Sequence, residues 1–500
     1  MPLRLASRRT ALFYTLLFAV GASPAAEAPK PSFKPPFACS AAVQDDWIGK
    51  ENPYRPTYNV HDALNLPAWL SLSVENRVRY ESLDGQFRAG AEGGDQQLPV
   101  QTCVWLEARY EGFRIGTEFL DARQSLADAG STSLNNTHVD EADFLQIYGA
   151  WSGENVLGSG VDLEAKLGRQ TLDLGSRRLV GRNVFRNTIN AFTGALFRFR
   201  DHGDRWQLRL FGAQPVERLP GAAAELDRGQ PHAYDEEAYR TFFSAAFFEW
   251  FDIAYGIGGE LYLLHLDEQD RPEAATADRK LFTPGVRFFS KPAKGQFDFE
   301  VETVAQVGRS YSSATAARRL DHQAWFQHVQ AGYTFDGPWS PRFLAQYDYA
   351  SGDSNPTDGK NGRFDTLFGT RRAEFGPTGM FGAFARSNIH TPGYRLILNP
   401  RQDVAFFAGH RLLWLAEDKD QWVGSRNDRT GRSLQDRAGN SGDFLGHLVE
   451  ASARWDVSSN LMLETGWAHL VKGEFAKTAP RAPLDQQDVD YFYVQSLLRF

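Results

Sequence analysis

The chain has 500 residues, with 54 Lys+Arg against 62 Asp+Glu for a net charge of −8, and 13 % of it is aromatic, with 37 Phe, 17 Tyr and 12 Trp. No basic excess or Lys/Arg-rich run is present to neutralise phosphates, which speaks against nucleic acid as a partner. Two cysteines, Cys39 and Cys103, are too few for a disulfide scaffold or a structural zinc site.

At the start, Arg4, Arg8 and Arg9 precede the apolar run TALFYTLLFAVGA and the small-residue stretch SPAAEA, the order of a secretory signal peptide. The run is shorter than the ~20 residues of a spanning helix. Residues 1–28 therefore read as a leader, and the mature protein as working outside the cytoplasm. No later stretch approaches a transmembrane helix, so a place in a membrane demands a closed barrel. Residues 29–66 are Pro-rich and aperiodic, an irregular segment that is either a linker or a lumen plug.

From Pro67 to Phe500 the pattern has period two. In LSLSVENRVRY, Leu70, Leu72, Val74, Val78 and Tyr80 share one face and Ser73, Glu75, Arg77 and Arg79 the other, because alternate side chains of a strand point to opposite sides. The next pair repeats it across a turn at Gly112, with Val104, Leu106, Phe113, Ile115 and Phe119 opposing Glu107, Arg109, Arg114 and Glu118. The alternation returns at residues 143–152, 161–170, 191–200, 205–214, 242–251, 253–266, 281–290, 296–309, 322–335, 341–350, 386–398, 403–416, 444–456, 460–471 and 489–500, about eighteen strands in all.

Short connections alternate with long polar loops at about 82–100, 123–142, 171–190, 215–241, 267–280, 310–321, 351–385, 417–443 and 472–488. Strict alternation of this kind belongs to an all-β, antiparallel up-and-down outer-membrane barrel with short periplasmic turns and long extracellular loops. The other reading of the same strands is a multi-domain secreted β protein, which has no reason to keep its short turns at one end. A closed sheet requires the last strand to pair with the first, near residues 68–81. Phe500, Leu498, Val494 and Phe492 then face lipid, and Arg499, Leu497, Gln495 and Tyr493 face inward.

The same alternation turns Arg77, Arg79, Arg109, Arg114, Lys166, Arg198, Arg209, Arg287, Arg411 and Arg454 into the lumen, against a similar number of acids. Many of these are expected to form cross-strand ion pairs that stiffen the wall. Arg169 is ambiguous, since a bulge at Gly168 would flip its face. Arg169, Arg177, Arg178, Arg182 and Arg186 make a basic cluster with Asp173 as the acid among them. That loop either folds into the pore to present guanidinium groups to carboxylates or lies solvated outside.

Cys103 falls on the inward face, where a disulfide to Cys39 would tie the N-terminal segment into the lumen, and two free thiols are the other reading. Asp353, Asp358 and Asp365 lie in a loop rich in oxygen ligands and glycine, a weak calcium candidate whose spacing misses the EF-hand pattern. No catalytic constellation or cofactor motif is present.

Four stretches are similar to the alginate export family of outer-membrane barrels: LGRQTLDLGSRRLVGRNVFRNT from Leu167, YASGDSNPTDGKNGRFDTLFGTRR from Tyr349 with the later NIH at Asn388, RLLWLAEDKDQW from Arg411, and GWAHLVKGEF running on to the terminal strand. The resemblance implies a channel in the outer membrane of a Gram-negative bacterium, without enzymatic activity, whose arginine-lined constriction attracts an anionic polysaccharide. An uptake porin for small acids or sugars is the alternative within transport, and a barrel enzyme or secreted glycan-binding protein the alternative outside it. The expected partners are outer-membrane lipid, the solute, and the barrel-insertion machinery, with the protein as a monomer. Phe500, with aromatics at alternate positions before it, also resembles the terminal assembly signal of bacterial outer-membrane proteins.

Overall fold

In the computed structural model, the described residues are 56–227, 232–270, 275–314, 316 and 318–500. Residues 1–28, read above as a leader, and most of the Pro-rich segment lie outside them, and so does Cys39. Where residues 29–66 enter the described chain they carry one helical turn, Val60–Ala63, capped by the Asn59 side chain.

Strand after strand pairs antiparallel with its successor, from Leu70–Asp84 to Val489–Arg499, and the last returns to the first. Among the described residues the main sheet has twenty strands, of which two, Glu236–Glu237 and Lys360–Asn361, are two-residue additions. The remaining eighteen make the closed wall. No described helix is long and apolar enough to cross a membrane, so crossing falls to the strands.

Closure is set at the terminal strand. Glu75 stands opposite Arg499 and Asp84 opposite Asp490. Beyond the strand itself, the Phe500 amide donates to the Val74 carbonyl at 2.8 Å and the Val74 amide to the Phe500 carbonyl at 2.9 Å. A barrel leaves no ladder edge unpaired, and these two bonds complete the seam. Alternate exposure puts Phe492 and Val494 outside, with Tyr493, Gln495, Leu497 and Arg499 buried inside.

The burial pattern is inverted relative to a water-soluble sheet. In the first strand Ser71, Ser73, Glu75, Arg77, Arg79 and Glu81 are buried, while the interleaved leucines and valines are only half-buried. An outer apolar surface suits lipid, and aromatic residues cluster on it toward its ends, among them Tyr110, Phe113, Phe297 and Trp339 at the short-turn end and Phe242 and Phe282 toward the other. The inner face is buried because the barrel is filled.

Several boundaries differ from the sequence expectation, two of them instructively, and the expected loop 417–443 carries a small hairpin of Trp422–Asn427 and Arg432–Leu434. The first long loop shrinks to residues 85–94, since both flanking strands extend above the apolar band. The strand expected from residue 386 begins at Ile389, because Asn388 adopts a left-handed φ of 48° and Arg386 and Ser387 are drawn inward.

Candidate functional site

Two long loops fill the lumen. Residues 171–191 turn inward and meet residues 351–388, which the sequence reading treated as a polar external loop. Phe364, Phe375, Met380, Phe381 and Phe384 of the second loop are all buried, and a solvated loop would not carry such a set. The loops join as a short parallel bridge between Val180 and Phe368. The Phe368 amide donates to the Leu179 carbonyl at 2.9 Å and the Thr370 amide to the Arg177 carbonyl at 2.9 Å. Gly369 permits the approach, since a Cβ there would sit 1.8 Å from the Arg178 carbonyl oxygen.

Charged wall residues hold this double loop. Arg77 donates to the carbonyls of Val184 and Arg186, the latter at 2.6 Å. Arg79 donates to Glu81 at 2.7 Å and to the Phe185 carbonyl at 2.7 Å, its guanidinium 4.2 Å from the Phe185 ring centre. Arg209 pairs with Glu249 at 2.8 Å and donates to the Asp173 carbonyl at 2.8 Å. From the loop side, Arg182 grips Glu118 through both terminal nitrogens, at 2.7 and 3.1 Å, and Thr171 at 2.8 Å. Arg178 reaches Glu300, Glu302 at 2.6 Å and Glu374 at 3.0 Å.

The other candidates belong to the wall. Arg411 pairs with Asp348 at 2.6 Å, and Asp348 accepts from or shares a proton with His328 at 2.6 Å. Arg114 meets Glu164 at 3.0 Å, with Arg198 3.6 Å from the same carboxylate. Arg109 pairs with Glu107 at 2.6 Å and Arg454 with Asp456 at 2.9 Å. Arg177 lies 3.9 Å from Asp173.

Arg169 is corrected: it points outward. The strand Val161–Gln170 stays in register past Gly168, with Ile147 opposite Arg169, so no bulge flips the face. Arg169 shares the side of exposed Leu167 and binds Glu237 at 2.9 Å at the barrel rim.

Arg186 differs from its neighbours. Among the described residues no carboxylate pairs with it, and the same holds for Arg371, whose guanidinium donates to the Phe384 carbonyl at 3.3 Å. Burial, followed by the charges of Arg371 and Arg218, pushes the Arg186 guanidinium down to about 9. Burial and Arg386 push Arg371 down to about 10. Both side chains are half-buried, and Asp428 is the carboxylate whose charge reaches Arg371.

Sequence reasoning missed Arg371, Glu374 and Arg386, the last of which pairs with Glu374. The signal was present in FGTRRAEFGPTGMFGAFARS, whose phenylalanines contradict a solvated loop. The calcium candidate is also corrected. Asp365 is taken by Arg279 at 2.9 Å, and Asp358 accepts from the Lys360 amide at 2.7 Å, so Asp353, Asp358 and Asp365 do not converge. Cys103 is fully buried on the inner face opposite Glu75 and Leu120, and no described cysteine is free.

The four stretches that resembled a family meet inside the barrel. Beyond the bridge just described, Arg363 binds Asp420 through Nε at 2.8 and 3.1 Å, and Asn388 donates to the carbonyls of Glu417 and Gln421. Solved structures share the fold. Pseudomonas aeruginosa OccK5 (OpdH) is 11 % identical over 86 % of this chain and 98 % of its own, with a TM-score of 0.53. Pseudomonas aeruginosa OpdQ is 12 % identical over 86 % and 98 %, at 0.54. Acinetobacter baumannii OccAB1 is 10 % identical over 89 % and 98 %, at 0.53. No curated protein sequence matches the chain. The family model described as alginate export matches residues 68–490. With that match over nearly the whole barrel, the chain belongs to the alginate export family, as a channel in the outer membrane of a Gram-negative bacterium.

Proposed function

We propose that this channel passes an anionic, hydrophilic solute, in the first place an acidic polysaccharide strand, by diffusion past Arg186 and Arg371. The observation that carries the reading is this pair of guanidinium groups on the two inserted loops, left without carboxylate partners among the described residues while Arg178, Arg182, Arg209 and Arg411 all have them. A carboxylate arriving there accepts bidentate hydrogen bonds and restores the charged form that burial disfavours. The wall supplies positioning, with Arg109, Arg114, Arg209 and Arg411 already paired to carboxylates. A closed sheet offers no edge to a second copy, which favours a single barrel as the working unit.

The test is reversal potential in a salt gradient, with the refolded protein in a planar bilayer. Arg186→Glu with Arg371→Glu is expected to turn an anion-selective current toward cations and to abolish block by polyuronate oligomers. Unchanged selectivity in that variant refutes the role of the pair. A second reading, uptake of small acids, is favoured by how completely the two loops occupy the lumen. Block that strengthens with oligomer length supports the polysaccharide, and block by monomeric acids alone supports uptake.

A further inference from the structure

We propose that Asp140, Asp143 and Asp235 bind one calcium ion at the loop end of the barrel, clamping the loop residues around Asp235 to the wall strand Asp140–Gly153. One carboxylate oxygen from each residue lies within 4.8 Å of the others. Calcium binds oxygen at about 2.3–2.6 Å, so ligands across the ion are separated by up to about 5 Å, whereas magnesium holds them within about 4.2 Å. A set of protein carboxylates suits calcium, which takes flexible all-oxygen coordination, better than magnesium, which keeps several of its waters.

The second observation is Asp140 itself. It is 3 % exposed, and its carboxylate accepts no hydrogen bond from any described residue. A buried carboxylate without a donor is costly unless a cation meets it. Its neighbours are differently placed. Asp143 accepts from the amides of Phe144 and Asp235, and Asp235 from the Leu219 amide at 3.0 Å, which fixes both carboxylates with a lone pair to spare.

Local charge gives the valence. Glu237 adds a fourth carboxylate to the group, bound to Arg169 at 2.9 Å and Thr193 at 2.8 Å. Arg169 stands 3.7 Å from Asp143, and Arg218 donates through Nε to the Asn136 carbonyl and through one terminal nitrogen to the Ile189 carbonyl and Asn190. Four carboxylates against two guanidinium groups leave two negative charges, which one divalent cation neutralises. Two ligands come from the wall and the third from the loop, so the ion would hold the loop down whatever solute the lumen passes.

Terbium, a luminescent stand-in for calcium, tests the site in the refolded full-length barrel after chelation, with Tyr234 beside Asp235 as the sensitiser. One saturable site is expected, displaced by calcium at a concentration at least about tenfold below that needed with magnesium. Asp140→Asn and, separately, Asp235→Asn should each weaken terbium binding at least about tenfold, while Asp358→Asn leaves it unchanged. Asp235 lies in the loop, so its variant keeps the test valid if Asp140→Asn fails to fold. Protease cleavage in the loop around Asp235 should accelerate on chelation. No terbium binding, or binding untouched by both asparagine variants, overturns the proposal.

Discussion

Arg182→Ala removes one partner from a pair whose side chains are 2 % and 0 % exposed, taking from the Glu118 carboxylate its guanidinium while the Gln146 amide still donates to it. Losing one member of a buried pair costs about 3–5 kcal/mol, because the remaining charge stays buried without compensation. The residue sits in the middle of the inserted loop 171–191, so the penalty falls on the loop-in state. It is relieved when Glu118 meets water in the loop-out state. At about 1.4 kcal/mol per tenfold, 4 kcal/mol raises the loop-released fraction nearly a thousandfold. Arg77, Arg79 and Arg178 still hold other points of the same loop, so the expected result is brief high-conductance openings rather than a permanently open pore. Single-channel recording reads this directly. Replacing both partners by Met returns an apolar pair of similar volume and should restore the quiet trace. A quiet trace in Arg182→Ala, or an equally noisy one in the double Met variant, refutes the account of how the loop is seated.

Arg186 is held down to about 9. A cation with a depressed pKa keeps its charge below that value and loses it above, so anion selectivity should be steady near pH 7 and fade between about pH 8 and 10. Reversal potentials across that range check it, and Arg186→Ala should remove the pH dependence. Phe500→Ala keeps the two backbone bonds to Val74 but removes the ring, and deleting Phe500 removes both. If the insertion machinery reads the aromatic ring, both variants lose outer-membrane yield, measured by heat-shifted mobility on gels; if only the seam matters, the alanine variant accumulates normally. For Cys39 and Cys103, a thiol count in denaturant should give none before reductant and two after it, the outcome of a tie between the N-terminal segment and the inner wall.

The wall was legible because a strand's period is two and each face meets a different solvent. Leu72 and Val74 beside Ser73 and Glu75 are enough to orient a strand, and loop lengths then order the strands around the barrel. Arg169 shows where that reasoning stops: one residue of bulge at Gly168 reverses its side, and a glycine is compatible with either register. The inserted loops were less legible for another reason. Arg178 finds Glu300 at a separation of 122 residues and Glu374 at 196. No local pattern encodes such a contact. What the sequence did carry was composition, in the phenylalanines around Phe375 and Phe381, and the family resemblance, whose stretches turn out to be the segments that meet in the lumen.

The plug is fastened to the wall by charges as well as by ring contacts, Phe185 and Phe381 to Tyr493 and Tyr491, Phe364 to Phe326 and Phe368 to Phe192 and Phe243, and the charged share of that contact bears on transport. An apolar plug on an apolar wall would cost the full hydration of both surfaces to open, at about 25 cal/mol per Å². It would also leave an unwetted pore. The ion-paired share gives up attractions that largely cancel the desolvation of the same groups, so it adds less to the cost of release than apolar contact of the same area would. When the loop leaves, Glu118, Glu300 and Glu302 on one side and Arg178 and Arg182 on the other become a hydrated lining of both signs. Such a lining hinders a polyanion unless positive charge dominates along its path. On the proposed path Arg186 and Arg371, carried on the inserted loops, would tip that balance, and their removal should therefore reduce the current of an anion even in a variant whose loop is already released.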